Sequence, residues 1–220
     1  MDDKRELEFE FDDGGRAAAA RKKRVAGISK PNIGKGDYGF TDFIGTAVAY
    51  KSSWQAEACG SVDELNTFIG EAHARTRDAS VKKILMQISR DLFVLGTDIA
   101  NTMMTNRALP RITPEHIHQI EDWILHFEKP LKPIRHFVLP VGPPQVTVLH
   151  QARAVCRRAE RQMVKFVKDS KKQAKVNPLT LAYLNRLGDL LFTISRAITQ
   201  KLHQKEVFWS RADFKTPKIK

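Results

Sequence analysis

Three arginines and a glutamate within nine residues, Arg153, Arg157, Glu160 and Arg161, are the side chains best suited to chemistry on a polyanion. Guanidinium forks match phosphate oxygens bidentately, which a lysine ammonium cannot do. At about 100° per residue, Leu149, Ala152, Val155, Cys156, Ala159, Met163, Phe166 and Val167 fall in one arc of about 120°, a core stripe. Arg153, Arg157, Glu160 and Arg161 fall in the adjacent arc of about 100°, and Arg158 lies further toward solvent. The charged set therefore flanks the core. A solvated face with Glu160 pairing its helical neighbours would account for one or two arginines. Three beside a core stripe favour an anion site or an interface.

A second stripe, Leu184, Leu187, Leu191, Ile194 and Ile198, carries Asn185, Asp189 and Arg196 along one side, with Phe192 between them. Asparagine is a poor helix former in a helix interior, so Asn185 is expected to have a tertiary use, either a ligand contact or an inter-helix hydrogen bond. A third candidate is the glycine loop Gly34-Lys35-Gly36-Asp37-Tyr38-Gly39. It matches the letters of a dinucleotide fingerprint without the strand before it and the helix after it that the fingerprint needs. The chain has no phosphate-loop sequence ending in Gly-Lys-Ser or Gly-Lys-Thr. What remains is a loop with exposed amides that could cradle phosphates, with Asp37 or Thr41 supporting a hydrated Mg²⁺. A plain turn is the alternative.

These residues need helices to position them, and the sequence predicts five. Ser61-Val62-Asp63-Glu64 reads as a capping box, followed by Val62, Leu65, Ile69 and Ala72 at helical spacing. A second helix starts near Ser80 and runs through Ile99. Thr113-Pro114-Glu115 opens a third, ended by Pro130 and Pro133. Five prolines in 130–144 mark a connection containing Phe137-Val138-Leu139-Pro140. Two long helices follow, over 145–168 and 178–204, the latter capped by Asn177. No strand is predicted, and the fold class is an all-α bundle.

The chain of 220 residues, 42% hydrophobic, fits one domain. No apolar run reaches the roughly 18 residues that suggest a membrane span, so a soluble protein is expected. Cys59 and Cys156 have no paired spacing, which suits reduced thiols and a cytoplasmic setting. The formal charge of +12 suits polyanionic partners. Residues 1–29 read as a charged tail, 30–210 as the helical domain and 211–220 as a basic tail. The seven acidic residues before Gly14 argue against a mitochondrial transit peptide. A nucleic-acid role is not expected, because no aromatic platform or recognition helix accompanies the charge.

Several segments in order resemble the PduO-type ATP:cob(I)alamin adenosyltransferases. They are Gly36-Asp37-Tyr38-Gly39-Phe40-Thr41 followed by Lys51, Gly60-Ser61-Val62-Asp63-Glu64-Leu65-Asn66, and Leu92-Phe93-Val94-Leu95-Gly96. Further along come Phe137-Val138-Leu139-Pro140, Leu149-His150-Gln151-Ala152-Arg153, Val155 through Arg161, and Tyr183 through Phe192. The resemblance covers about residues 31–209, and the last two segments are its most specific part.

The resemblance implies a homotrimer of ferritin-like, up-and-down five-helix bundles with ATP between adjacent subunits. Lys35, Gly36, Asp37, Gly39, Thr41 and Lys51 would wrap the triphosphate. Arg157, Glu160, Arg161 and Asn185 would complete the nucleotide site, Arg157 contacting phosphates. Asp63 would pair with Arg153 of a neighbouring subunit. Phe137 would lie against the corrin and help displace its lower axial ligand. The implied substrates are ATP, with Mg²⁺ carried mainly by the nucleotide, and cob(I)alamin. A corrinoid reductase and an adenosylcobalamin-dependent mutase are the implied partners, and no nucleic acid or membrane is. Three departures stand out: Ile33 and Lys35 where the family has threonines, Val141 where it has the first of two glycines, and a longer turn over 168–177. The altered loop motivates an alternative, a regulatory trimer that binds ATP or adenosylcobalamin without efficient turnover.

Overall fold

The computed structural model describes residues 36–37, 39–43, 48–101, 108–169 and 176–210. Five helices occur among them: α1 (Trp54–Arg75), α2 (Ala79–Ala100), α3 (Pro114–Glu128), α4 (Pro144–Asp169) and α5 (Leu179–Lys201). A two-stranded antiparallel sheet, β1 (Phe40–Thr41) and β2 (Ala49–Tyr50), precedes them. The five expected helices are present; the small sheet corrects the expectation of no strand. Its pairing is supported by the tilted rings of Phe40 and Tyr50, centroids 4.5 Å apart, a cross-strand contact that no run of alternating residues announces. The expected terminal tails, 1–29 and 211–220, lie outside the described residues.

Side-chain contacts fix the direction of each helix. Gln55 donates to the Ile99 carbonyl and Asn66 to that of Ser89, so α1 and α2 are antiparallel. Trp54 meets Lys165 and Glu64 meets Arg158, so α4 runs antiparallel to α1. Cys156 contacts the Leu184 carbonyl and Arg153 contacts Phe192, which sets α5 antiparallel to α4. Glu121 pairs with Arg186, and Gln200 reaches the Pro130 carbonyl, so α3 and α5 run the same way. The arrangement is up-and-down throughout. Leu65, Ile69, Leu85, Leu92, Leu149, Met163, Leu184, Leu187 and Leu191 fill the common core, each essentially inaccessible to solvent. Complete burial of such a side chain is worth about 1.5–3 kcal/mol.

The first helix starts earlier than expected. Ser53, not Ser61, is its cap: the Ser53 hydroxyl accepts from the Ala56 amide at 3.2 Å. Ser61 is instead a buried interior residue, because Ala58, Val62 and Leu65 continue one apolar stripe through Gly60. The last helix ends at Lys201 rather than Gln204. His203 takes a left-handed φ of 54°, which turns the chain back along the bundle.

Two buried carboxylates join α2 to α5. Asp98 accepts from Arg111 Nε at 2.5 Å, the Ile112 amide at 2.8 Å and Asn177 Nδ2 at 2.8 Å. Asn177 Oδ1 in turn accepts from the Leu179 amide, so the expected cap of α5 is also a core residue. Two turns back, Asp91 accepts from Tyr183 Oη at 3.0 Å and Gln87 Nε2 at 2.8 Å. Burial, with the Asp91 carboxylate beside it, pushes the Tyr183 phenol well up, so it remains a donor.

Replacing Asp98 strands two buried donors, each worth about 1–3 kcal/mol. Asp98→Ala is therefore expected to lower the unfolding free energy by about 3 kcal/mol in urea denaturation. A loss below about 1 kcal/mol would contradict the role given to this carboxylate.

Candidate functional site

The residues expected to bind an anion assemble where α4 packs on α5. Small side chains, Ala152, Cys156 and Ala159, face α5, and all three are fully buried. They let the helices approach closely enough for Asn185 Nδ2 to donate to Glu160 Oε1 at 3.1 Å. Asn185 Oδ1 accepts from Arg186 Nη1 at 2.9 Å, and Arg186 Nε donates to Glu121 of α3 at 2.9 Å. The amide is thus held from both ends. Of the two uses expected for Asn185, the inter-helix hydrogen bond is present.

The guanidiniums differ in environment. Arg157 and Arg161 are exposed, with Arg161 Nη1 resting on the Arg157 carbonyl at 3.0 Å. Arg153 is half-buried and its Cζ lies 5.1 Å from the Phe192 ring centroid, a cation–π contact. Its Nε is buried with no hydrogen-bond partner among the described residues. Burial, then the Arg157 charge, lowers its pKa, and Asp189 opposes the shift. Arginine remains charged under such a perturbation. His150, one turn before Arg153, lies tilted against Phe192, ring centroids 6.4 Å apart; burial and then Arg153 push its pKa down, so it stays neutral at neutral pH. Arg158 points away and pairs with Glu64 of α1, as its angle on the helix implies. A groove of about 490 Å³ opens beside the strip, lined in part by Glu121, Leu125, Arg186, Asp189 and Phe192.

The glycine loop forms a second cluster. Gly39, at φ 78°, makes the turn, its amide reaching the Gly36 carbonyl at 3.2 Å. Lys51 folds over the loop: Nζ donates to the Gly36 carbonyl at 2.8 Å, and its own amide reaches the Gly39 carbonyl at 2.8 Å. A Cβ on Gly36 would come to 2.8 Å from that Nζ, so a larger residue there would displace the Lys51 ammonium from the loop. Asp37 is exposed and Thr41 half-buried; Lys35 lies outside the described residues. No hydrogen bond or ion pair joins a described residue of this loop to the arginine strip. Among the described residues no group of three or more His, Cys, Asp or Glu side chains could hold a metal ion.

Two other expected residues stand apart. Asp63 is exposed on α1 and makes no ion pair within the chain among the described residues. Phe137 is 78% exposed, on a segment that pairs with the C-terminal stretch: Trp209 N–H donates to the Phe137 carbonyl at 2.8 Å. That pairing, and the Arg196–Glu206 ion pair beneath it, are not foreseen by the sequence. Arg196 is visible on its helix, but its partner is brought round only by the turn at His203.

Comparison with known proteins separates chemistry from coincidence. Residues 32–198 match the family model described as cobalamin adenosyltransferase. The chain belongs to that family. Among relatives, it is 38% identical over 167 residues to a corrinoid adenosyltransferase of Mycobacterium leprae, covering 73% of this chain and 86% of that protein. It is 32% identical over 185 residues to a cobalamin adenosyltransferase of Cupriavidus metallidurans, covering 84% and 96% respectively. A variant PduO-type ATP:corrinoid adenosyltransferase from Lactobacillus reuteri, solved with cobalamin and ATP, superposes with a TM-score of 0.75. It is 27% identical, and the match covers 82% of this chain and 99% of that one. In this cobalamin adenosyltransferase family member, the arginine strip, glycine loop and Phe137 segment all fall within the matched residues.

The thiol beneath the strip is not part of the chemistry. Burial raises the pKa of Cys156, and burial pushes that of Cys59 up to about 12. Both are then protonated at neutral pH, Cys156 buried and Cys59 partly buried. Iodoacetamide is expected to leave both unmodified in the native protein and to label both in denaturant. Rapid native labelling of Cys156 would contradict the packing of α4 against α5.

Proposed function

We propose that this chain transfers the 5′-deoxyadenosyl group of ATP to the cobalt of cob(I)alamin, giving adenosylcobalamin and triphosphate. The observation that carries this reading is the arginine strip fixed to α5 by the Glu160–Asn185 hydrogen bond, in a chain of this family. Cob(I)alamin is itself the nucleophile. Its cobalt electron pair attacks the ribose C5′, the C5′–O bond breaks, and the triphosphate leaves with that bond's electrons. No protein base is required. The protein has two tasks, aligning cobalt with C5′ and stabilising charge on the leaving triphosphate.

Arg157 and Arg161, exposed and side by side, suit the second task; Glu160 and Asn185, locked together, suit fixing the nucleoside. The Gly36–Thr41 loop and Lys51 supply further amides and an ammonium for phosphate oxygens. Lys51 would exchange its bond to the Gly36 carbonyl for one to phosphate. Mg²⁺ carried by ATP would supply charge neutralisation on the triphosphate, and Asp37 or Thr41 of the loop would support its hydration shell. Phe137, exposed and apolar, lies against the corrin face and favours loss of the lower axial ligand, which makes Co(I) easier to reach.

The assembly belongs to the same proposal. Among the described residues no hydrogen bond or ion pair joins the loop to the strip, and the exposed Asp63 makes no ion pair. Arg153 sits beside the core with Arg157 repelling it. A homotrimer in which Asp63 meets Arg153 of the next subunit, and ATP bridges the two, satisfies all three observations. The chain works in the cytoplasm, drawing Co(I) from a corrinoid reductase and passing the product to an adenosylcobalamin-dependent mutase. No helix among the described residues is long and apolar enough to cross a membrane.

The test mixes protein, ATP, Mg²⁺ and chemically reduced cobalamin and follows loss of the Co(I) absorbance. Adenosylcobalamin is expected well above background. Arg157→Ala is expected to lower turnover at least about 100-fold with assembly intact. ATP binding without any adenosylcobalamin would overturn the catalytic reading in favour of a binding trimer. Arg153→Ala and Asp63→Ala are each expected to weaken assembly and ATP affinity together. Unchanged sedimentation and affinity in both would remove the intersubunit pair.

A further inference from the structure

The segment bearing Phe137 is held by a clamp that lies outside it. Arg196, on α5 and only 8% exposed, donates from Nε to Glu206 Oε1 at 2.6 Å and from Nη2 to Glu206 Oε2 at 3.4 Å. The same Nη2 donates to the Lys132 carbonyl at 2.7 Å. One guanidinium therefore ties together α5, the connection that leads to Phe137, and the C-terminal segment. Beyond the clamp, Leu139 N–H donates to the Val207 carbonyl and Trp209 N–H to the Phe137 carbonyl, each at 2.8 Å. Val138 and Phe208 face each other between these bonds.

Phe137 has little packing of its own, so its backbone decides where its ring stands. That backbone is anchored by two hydrogen bonds to a segment of three residues, far too little pairing to persist alone. The ion pair is mostly buried, and such a pair holds firmly because removing one partner leaves the other charge desolvated. A groove of about 600 Å³, lined in part by Ile134, Arg196, Glu206 and Phe208, lies against the clamp, so the segment has space to shift if the clamp opens.

We infer that the Arg196–Glu206 ion pair is a positioning device for Phe137: it registers the C-terminal segment against residues 137–139 and so fixes the corrinoid-facing ring. This inference rests on the proposed contact of Phe137 with the corrin. It predicts an effect on the corrinoid and none on ATP.

The experiment uses the full chain with Glu206→Gln, which keeps the shape and an acceptor oxygen while removing the charge. Phe137→Ala serves as the reference variant. Steady-state kinetics give KM for each substrate, and absorbance and electron paramagnetic resonance of bound Co(II) corrinoid with ATP report the four-coordinate fraction. Glu206→Gln is expected to raise KM for the corrinoid about tenfold and reduce the four-coordinate signal, with KM for ATP unchanged. Phe137→Ala is expected to move the same two readouts. If Phe137→Ala moves them and Glu206→Gln does not, the clamp is no positioning device, although the Phe137 reading stands. If neither variant moves them, the Phe137 reading itself falls and takes the inference with it. Equal increases in both KM values would show a general structural role and also overturn the inference.

Discussion

The register of α4 against α5 is the constraint on which the rest of the molecule depends. Small side chains on α4 line the seam, and Gly188 of α5 lies opposite Arg157, where an added Cβ would meet Arg157 Cγ at an ordinary van der Waals distance of 4.0 Å. Cys156 lies under the seam, its Sγ 3.2 Å from the Leu184 carbonyl. With that register, Glu160 falls opposite Asn185, and Arg153 falls over Phe192. A slip of one residue would rotate each helix face by about 100° and disperse the charged strip. Core packing and site geometry are therefore one problem, solved by the same stripe of residues.

The buried carboxylates secure the other side of α5. Asp91 and Asp98 hold its N-terminal half to α2, and Arg186 holds it to α3 through Glu121. Toward its C-terminal end Arg196 reaches the C-terminal segment and the connection carrying Phe137. Helix α5 thus presents Asn185 to one region and supports Phe137 in another. On the proposed reading, one rigid element links the nucleotide site to the corrinoid site, which suits a reaction whose main demand is alignment of two bound reactants.

Much of this was legible in the sequence because helices advertise themselves locally. The stripe from Leu149 to Val167 and its flanking arginines follow from angular spacing alone, and the structure places Arg158 apart from them as that spacing requires. Asn177 was readable as a cap. Its second task, donating to Asp98 seventy-nine positions away, was not, because nothing local distinguishes a capping amide from a core hydrogen-bond donor. Ser61 illustrates the opposite failure. Its capping-box letters are real, but Ser53, well before it, provides the cap, and the helix passes through Gly60 with space to spare. The two-residue strands and the Val138–Phe208 bridge were invisible for the same reason as the Arg196–Glu206 pair: each is created by chain reversal, not by composition.

What remains distinctive of this chain is that its charged residues are only partly satisfied by one another. Glu160 and Asn185 are locked, whereas Arg157 and Arg161 are exposed and make no ion pair among the described residues. The account's central claim is that this outward-facing pair meets the triphosphate of ATP. The most direct measurement is a crystal structure of the full chain with ATP and a corrinoid. The account predicts phosphate oxygens within hydrogen-bonding distance of the Arg157 guanidinium, beside the Glu160–Asn185 pair. Ordered ATP seated elsewhere, with Arg157 still in solvent, would contradict it.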